Sequence, residues 1–321
     1  MKILQIAIVS TLPWFALPVS AEPAPSTPAE ITALADRGDA EAQFNLARAL
    51  LNGIGMPKNP AKALEWMTKA AEQGHAEALG GVGYFHANGV GVEKDEAEAV
   101  GWFRKGAEKG GMKSQFNFGR MLLDGKGVAK DEAEGRAWMR KAANQGLADA
   151  QFVLGEAFFH GDFGAAKDLP KSYALFHAAA EQGHLDAQNM AGVMLCDGLG
   201  VPRDRAEGLE WYRKAATRGH VKAQSNLGRM LGATDRRPSK DPSERLEALA
   251  WLMTAANQGD IMARKILEDA LPSVDQNEMA EARKKVVEIR NNLNSQLALR
   301  NLTRTRPAGN ETAPAAAALG N

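Results

Sequence analysis

Glycine returns along this 321-residue chain at a nearly fixed interval. Gly38, Gly74, Gly110, Gly146, Gly183, Gly219 and Gly259 are separated by 36, 36, 36, 37, 36 and 40 residues. The words around them recur as well, as in Ala70-Ala71-Glu72-Gln73-Gly74, Ala142-Ala143-Asn144-Gln145-Gly146 and Ala179-Ala180-Glu181-Gln182-Gly183. A period of this length means that each unit is one supersecondary element, which cannot bury its apolar face alone and completes its core by stacking on its neighbours. Such an array grows in one dimension, so the two or three globular domains that this length would otherwise imply are not expected. Arrays of this kind present extended surfaces, which points to interaction rather than catalysis.

Residues 39 to 74 show the unit. From Asp39 to Leu51, the residues Ala42, Leu46, Ala49 and Leu50 fall on one helical stripe. Asn52-Gly53-Ile54-Gly55 stops that helix, and Asn59-Pro60 supplies a cap and a first helical position for the next. The second helix carries Ala63, Trp66, Ala70 and Ala71 on one face and ends at Gly74. Each repeat is therefore a helix-turn-helix pair, with helix A followed by helix B. Asp95 with Glu98, Asp131 with Glu134 and Asp204 with Glu207 give capping-box signatures at later B helices, with Asp168-Leu169-Pro170 as a variant.

Two columns of small residues set how closely helices approach: Ala42, Ala78, Ser114, Ala150, Ala187, Ala223 and Ala263 in helix A, and the Ala-Ala pairs in helix B. Trp66, Trp102, Trp138, Trp211 and Trp251 share one position, with Leu175 in the remaining slot. Recurrence once per repeat marks these rings as packing anchors between helices rather than a ligand box.

Runs such as Asp124-Gly125-Lys126-Gly127-Val128, with Asp131 and then Trp138-Met139-Arg140-Lys141-Ala142-Ala143, resemble Sel1-like repeats, a family related to the tetratricopeptide repeats. The resemblance covers residues 39–271 as six repeats and a final half. It implies an all-α fold, a right-handed α/α solenoid or tetratricopeptide-like superhelix. The fourth repeat lacks its Trp, and the sixth replaces the Gly-x-Gly-Val turn with a longer stretch from Gly232 to Lys240.

The ends read differently. Residues 1–21 resemble a signal peptide, with Lys2 before an apolar stretch broken by Pro13 and Pro18, and small residues at Val19-Ser20-Ala21. A spanning helix wants about 20 apolar residues without such breaks, so cleavage after Ala21 is expected, leaving no stable membrane insertion. A Pro-rich linker (22–28) follows. A capping helix (29–38) is announced by Thr27-Pro28-Ala29-Glu30. Ser273-Val274-Asp275-Gln276 is read as the capping box of a long terminal helix (273–302), and residues 303–321 as a disordered tail.

Little of the chain looks chemically equipped. Its 39 basic and 39 acidic residues leave no net field for nucleic acid or anionic lipid. Cys196, the only cysteine, sits where other repeats carry apolar residues and is read as buried and inert. His75, His184 and His220 share one slot after the repeat glycine, at a helix start, while His86, His160 and His177 share none. The metal motif His-Glu-x-x-His is absent, no other metal or cofactor motif is present, and the Gly-x-Gly spacings belong to repeat turns without a preceding strand. Some cysteine-rich relatives in the resembled family are linked to β-lactam binding or hydrolysis, but this chain has neither Ser-x-x-Lys nor paired cysteines. It is read as a non-enzyme.

One stripe of helix A remains free of packing duty: Asn45 and Arg48, Tyr84, Asn117 and Arg120, Glu156, and Asn226 and Arg229. Arg and Tyr are enriched at binding hot spots, which makes these eight the candidate partner-binding residues. The resemblance implies that first helices line a concave groove. It further implies a periplasmic or secreted adaptor whose partner is another envelope protein, such as a sensor kinase or a secretion or motility component. A solenoid binding cell-wall glycopeptide or carbohydrate is the alternative of a different class, and a β-lactam-binding or hydrolytic enzyme a second one.

Overall fold

The structure is a computed structural model that describes residues 27–232 and 241–305. Residues 1–21, most of the linker, residues 233–240 of the altered sixth turn, and the chain after Thr305 lie outside the described residues. Within them the fold is all helical, as the repeat requires, with fifteen α-helices and no strand.

Helix α1 (Pro28–Asp36) precedes six A/B pairs. These are α2 (Ala40–Asn52) with α3 (Pro60–Glu72), α4 (Ala76–Asn88) with α5 (Glu96–Glu108), and α6 (Met112–Asp124) with α7 (Glu132–Asn144). Next come α8 (Ala148–His160) with α9 (Leu169–Glu181), α10 (Leu185–Asp197) with α11 (Arg205–Ala216), and α12 (Val221–Leu231) with α13 (Pro242–Asn257). Helix α14 (Ile261–Ala270), a short 3₁₀ turn (Leu271–Ser273) and α15 (Gln276–Thr305) complete the order. The last helix runs three residues beyond the expected end. The chain divides into two compact units, one closing at Asp131 and the other spanning Glu132–Arg304.

In the first unit each helix packs on the next in sequence, and α4 also touches α6. The A-helix turn works for two reasons at its second glycine. Gly91 sits at φ +70, where a side chain is strained, and a Cβ there would stand 2.6 Å from the Pro60 carbonyl carbon at the start of the preceding B helix. The turn is thus where one repeat touches the one before it. Helix α1 carries a true capping box between Thr27 and Glu30 and closes the unit by setting Ala35 and Ile31 against Ala42 and Leu46.

The second unit repeats this scheme, with Gly200 (φ +73) pressed on Leu169. Its fourth repeat reverses through Gly161-Asp162-Phe163-Gly164, where Phe163 is the described non-glycine residue at positive φ (+52) and its carbonyl accepts from the Arg136 guanidinium. Helix α15 closes this unit by burying Ala282 in a core that includes Leu227, Leu231 and Leu252, with Glu278 paired to Arg245 at 3.0 Å. The box that opens α15 is Asp275 with Glu278, not Ser273 with Gln276. Ser273 belongs to the preceding 3₁₀ turn, where its hydroxyl donates to the Ala270 carbonyl.

The small columns are buried as expected, from Ala42 to Ala263. The internal capping boxes are only half formed. Asp95 and Asp204 accept the N–H of Glu98 and Glu207, but those glutamates turn away and accept from the indole N–H one turn on, Trp102 to Glu98 at 2.8 Å and Trp211 to Glu207 at 3.2 Å. The tryptophans serve two environments. Trp211 and Trp251 are buried and Trp66, Trp102 and Trp138 half-buried, and at Trp66, Trp102, Trp138 and Trp211 a lysine ammonium lies 3.6–4.3 Å from the ring centre. At Trp102, Trp138 and Trp211 a Glu, a Trp and a Lys on one B-helix face make a cassette in which the ring's polar edge and its π face are both satisfied.

Candidate partner-binding face

The reversal from each B helix into the next A helix is where most of the buried polar chemistry lies. Gln43, Gln115, Gln188 and Gln224 are buried near the start of A helices. Each donates its side-chain N–H to a carbonyl eight residues back, near the end of the preceding helix: Gln43 to Ala35, Gln115 to Ala107, Gln188 to Ala180 and Gln224 to Ala216. Each of these carbonyls already accepts the N–H of the repeat glycine three residues on, and the glutamine adds a second bond from the next helix. In the first and sixth repeats the glutamine oxygen in turn accepts from a second glutamine at the end of the repeat's own B helix, Gln73 to Gln43 and Gln258 to Gln224, both at 2.7 Å. Sequence reasoning quoted the recurrent Gln before Gly and gave it no role, although its recurrence in phase was the available signal.

The histidine slot has an equally specific geometry. His75, His184 and His220 are N-caps, each accepting a backbone N–H at Nδ1, as Ala78 donates to His75 at 3.2 Å. That bond leaves the proton on Nε2, which faces a carboxylate one repeat back: Glu41 at 3.0 Å, Asp149 at 3.5 Å and Asp186 at 3.0 Å. The hydrogen bond from His220 holds the Asp186 carboxyl below its ordinary range. Phe44 and Phe152 stack on His75 and His184 at 4.6 and 4.7 Å between ring centres. These imidazoles fasten one repeat to another.

On that rigid frame sit the eight candidate residues. In the first unit Asn45, Arg48, Tyr84, Asn117 and Arg120 are all half-buried on α2, α4 and α6. The two arginines lie over phenylalanine rings of their own helices, Arg48 on Phe44 at 5.5 Å and Arg120 on Phe116 at 5.6 Å. Asn45 donates to Glu41 and Asn117 to the Lys113 carbonyl. Tyr84 meets Phe85 edge to face at 6.5 Å. The polar heads are therefore held in place by contacts within their own helices, with the arginine stems laid on aromatic surface.

In the second unit Glu156 and Asn226 are half-buried and Arg229 is exposed. Asn226 bridges repeats by donating to Asn189 at 2.9 Å, a partner that sequence reasoning did not single out. Glu156 forms no hydrogen bond or ion pair among the described residues. Burial, reinforced by the charge of Asp186, pushes its carboxyl up from the ordinary 4.5 to about 7. Cys196 is buried, and burial raises its thiol out of the reactive range. No group of three metal-ligating side chains occurs among the described residues, and no helix among them is long and apolar enough to cross a membrane.

The Sel1 repeat profile matches residues 40–75, 76–111, 113–147, 148–184, 185–220 and 221–260. The chain belongs to the Sel1 repeat family. Its fold, an α/α solenoid, is that of a general scaffold for protein interaction. A solved protective antigen from uropathogenic Escherichia coli strains is 33% identical, with a TM-score of 0.68. The match covers 86% of this chain and 59% of the antigen, so this Sel1 repeat chain spans little more than half of that relative. A Sel1 repeat protein from Oxalobacter formigenes is 28% identical with a TM-score of 0.61, covering 71% of this chain and 90% of its own. A comparison with curated proteins gives no match.

Proposed function

We propose that this Sel1 repeat protein is a non-catalytic adaptor, exported to the bacterial envelope, that holds a partner protein on the free face of its A helices. The observation that carries the reading is the recurrence of that face. In the first and third repeats arginine heads stand half-buried on phenylalanine platforms and Tyr84 is half-buried between them in sequence, while glutamine bonds and the His75 cap fix the helices that carry them. Pre-set side chains lose little freedom on binding, and Arg and Tyr are the residues that most often dominate interface energies. Export follows from the reading of residues 1–21, after which the mature chain starts at Glu22. Assignment as a non-enzyme draws on the lack of a nucleophile with an adjacent base among the described side chains.

The test is photo-crosslinking in the native host, with the probe at Tyr84 and a control probe at Glu65, an exposed B-helix position. A discrete protein adduct from position 84 alone supports the adaptor reading and names the partner. Adducts to glycan, or equal labelling from both positions, would refute it. Replacing Arg48, Tyr84 and Arg120 with Ala should abolish capture while leaving the helical signal unchanged. Loss of helicity would assign these residues to the structure instead.

A further inference from the structure

The free face changes character in the fourth and fifth repeats. Where the first and third repeats carry Asn45 with Arg48 and Asn117 with Arg120, the fourth carries Val153 with Glu156 and the fifth Met190 with Val193. Val153 and Met190, from α8 and α10, are half-buried against the same cluster around Phe152 and Met194, and Val193 packs on the following one. The result is a partly open apolar floor at positions that are polar elsewhere. Glu156 lies one turn from Val153 on the same helix face.

We propose that this patch docks a partner segment in which a Lys or Arg side chain is flanked by apolar residues. The cation bonds the Glu156 carboxylate, and the apolar neighbours cover Val153, Met190 and Val193. This rests on the adaptor reading and adds the chemistry of the partner.

Charge complementarity is the main argument. A half-buried carboxylate without a hydrogen bond or ion pair has lost hydration that distant charges only partly replace. The charges that act on it are Asp186 and Asp162, which repel it, and His184 and Lys222, which attract it. Neither attractor is in contact with it. His184 faces Asp149, and Lys222 is exposed and forms no ion pair. At the equivalent position one repeat on, an arginine would neutralise the site from within, but the residue is Val193. A guanidinium fits especially well, being weakly hydrated and able to give two parallel hydrogen bonds to one carboxylate. The apolar floor then excludes water from that pair, which strengthens it.

The test is selection of a random 12-residue peptide library, displayed on phage, against the whole chain at pH 7.5. Enriched peptides are expected to carry Lys or Arg between apolar residues. Synthetic copies should bind the wild-type chain and lose about 30-fold or more on E156Q, the loss typical of breaking a buried charge pair. They should lose as much on V193R, which supplies the missing arginine, and when norleucine replaces their basic residue. Melting curves establish that both variants fold. Peptides with no preference for a basic residue, or undiminished binding to E156Q, would overturn the proposal. If binding depends on Arg48, Tyr84 and Arg120 and not on Glu156, this site falls and the adaptor reading stands; no enrichment at all counts against both. Self-association that E156Q abolishes would place a second copy of the chain on the patch, and so overturn the partner assignment.

Discussion

Replacing Glu156 with Gln should stabilise the second unit at neutral and alkaline pH and leave it unchanged in acid. Folding lifts this carboxyl from the ordinary 4.5 to about 7 because burial, with Asp186 beside it, disfavours the charged form. Between those two values the native state holds a proton that the unfolded chain has released. The contribution of this carboxyl to stability is therefore greatest below about 4.5, declines as pH rises through the window to about 7, and is flat above it. A lift of that size corresponds to about 3 kcal/mol by linkage. Part of the side chain is in solvent, whose screening reduces the expected effect to about 1–2 kcal/mol. Glutamine keeps the shape and abolishes the charge. The assay is thermal unfolding followed by circular dichroism at pH 4 and pH 8, with the exposed Glu181→Gln as control. At pH 8 the variant should melt about 2–6 °C above wild type, at a few degrees per kcal/mol for a unit of this size. At pH 4 the curves should coincide. An equal shift at both pH values, or a lower melting point at pH 8, would refute the argument that a partnerless buried charge weakens this repeat. A stability gain coupled to lost peptide binding would identify Glu156 as a residue kept for recognition at the expense of the fold.

Gln224→Leu removes one of the two bonds that the Ala216 carbonyl accepts and the inter-helix bond from Gln258, and should cost about 0.5–1.5 kcal/mol in chemical denaturation, with the slope unchanged. His220→Ala removes the cap of α12 and its link to Asp186, an expected loss of about 1 kcal/mol that His220→Asn should largely restore through its own capping oxygen. Gly91→Ala combines a left-handed backbone with a clash against Pro60 and should lower stability by about 2 kcal/mol or more, read from the same denaturation curves. Lys69→Met at the half-buried Trp66 should cost no more than about 1 kcal/mol while shifting the tryptophan fluorescence.

The helix pairs were legible because their signals are local and redundant. Each A helix ends at a glycine that the turn forces into positive φ, and the B helices begin at Asn or Asp caps that act within three residues. The small columns were legible because only short side chains permit the close approach. Side-chain partnerships were not. The pattern Asp95-x-x-Glu98 reads as a reciprocal box, yet the indole N–H of Trp102 is a competing donor one turn away, and it takes the glutamate. At the start of α15 Ser273 with Gln276 reads as the box, but the 3₁₀ turn after α14 takes Ser273, and Asp275 with Glu278 caps the helix instead. Of the candidate face, the positions of Arg48 and Arg120 followed from helical spacing. The isolation of Glu156 did not, because it depends on what α10 and α12 bring beside it, over 30 residues and more of chain.

The glutamine bonds also govern how a chain like this can change length. Each bond spans eight residues from an A-helix glutamine back to the preceding helix, so one residue added or lost in that reversal would misplace donor and acceptor together. The turn from A to B is spanned by a backbone bond instead, nine residues long from Asp95 to His86, Asp131 to Leu122 and Asp204 to Leu195, and ten from Asp168 to Phe158. The irregular repeats obey this division. The fourth takes its extra residue between Gly161 and Asp168, and the sixth takes its additions between Gly232 and the lengthened start of α13. The reversals on both sides of the fourth repeat, and the one leading into the sixth, keep their eight-residue span. The A-to-B joint takes up an added residue by lengthening its backbone bond, as the fourth repeat does, and an engineer adding a loop or tag should cut there.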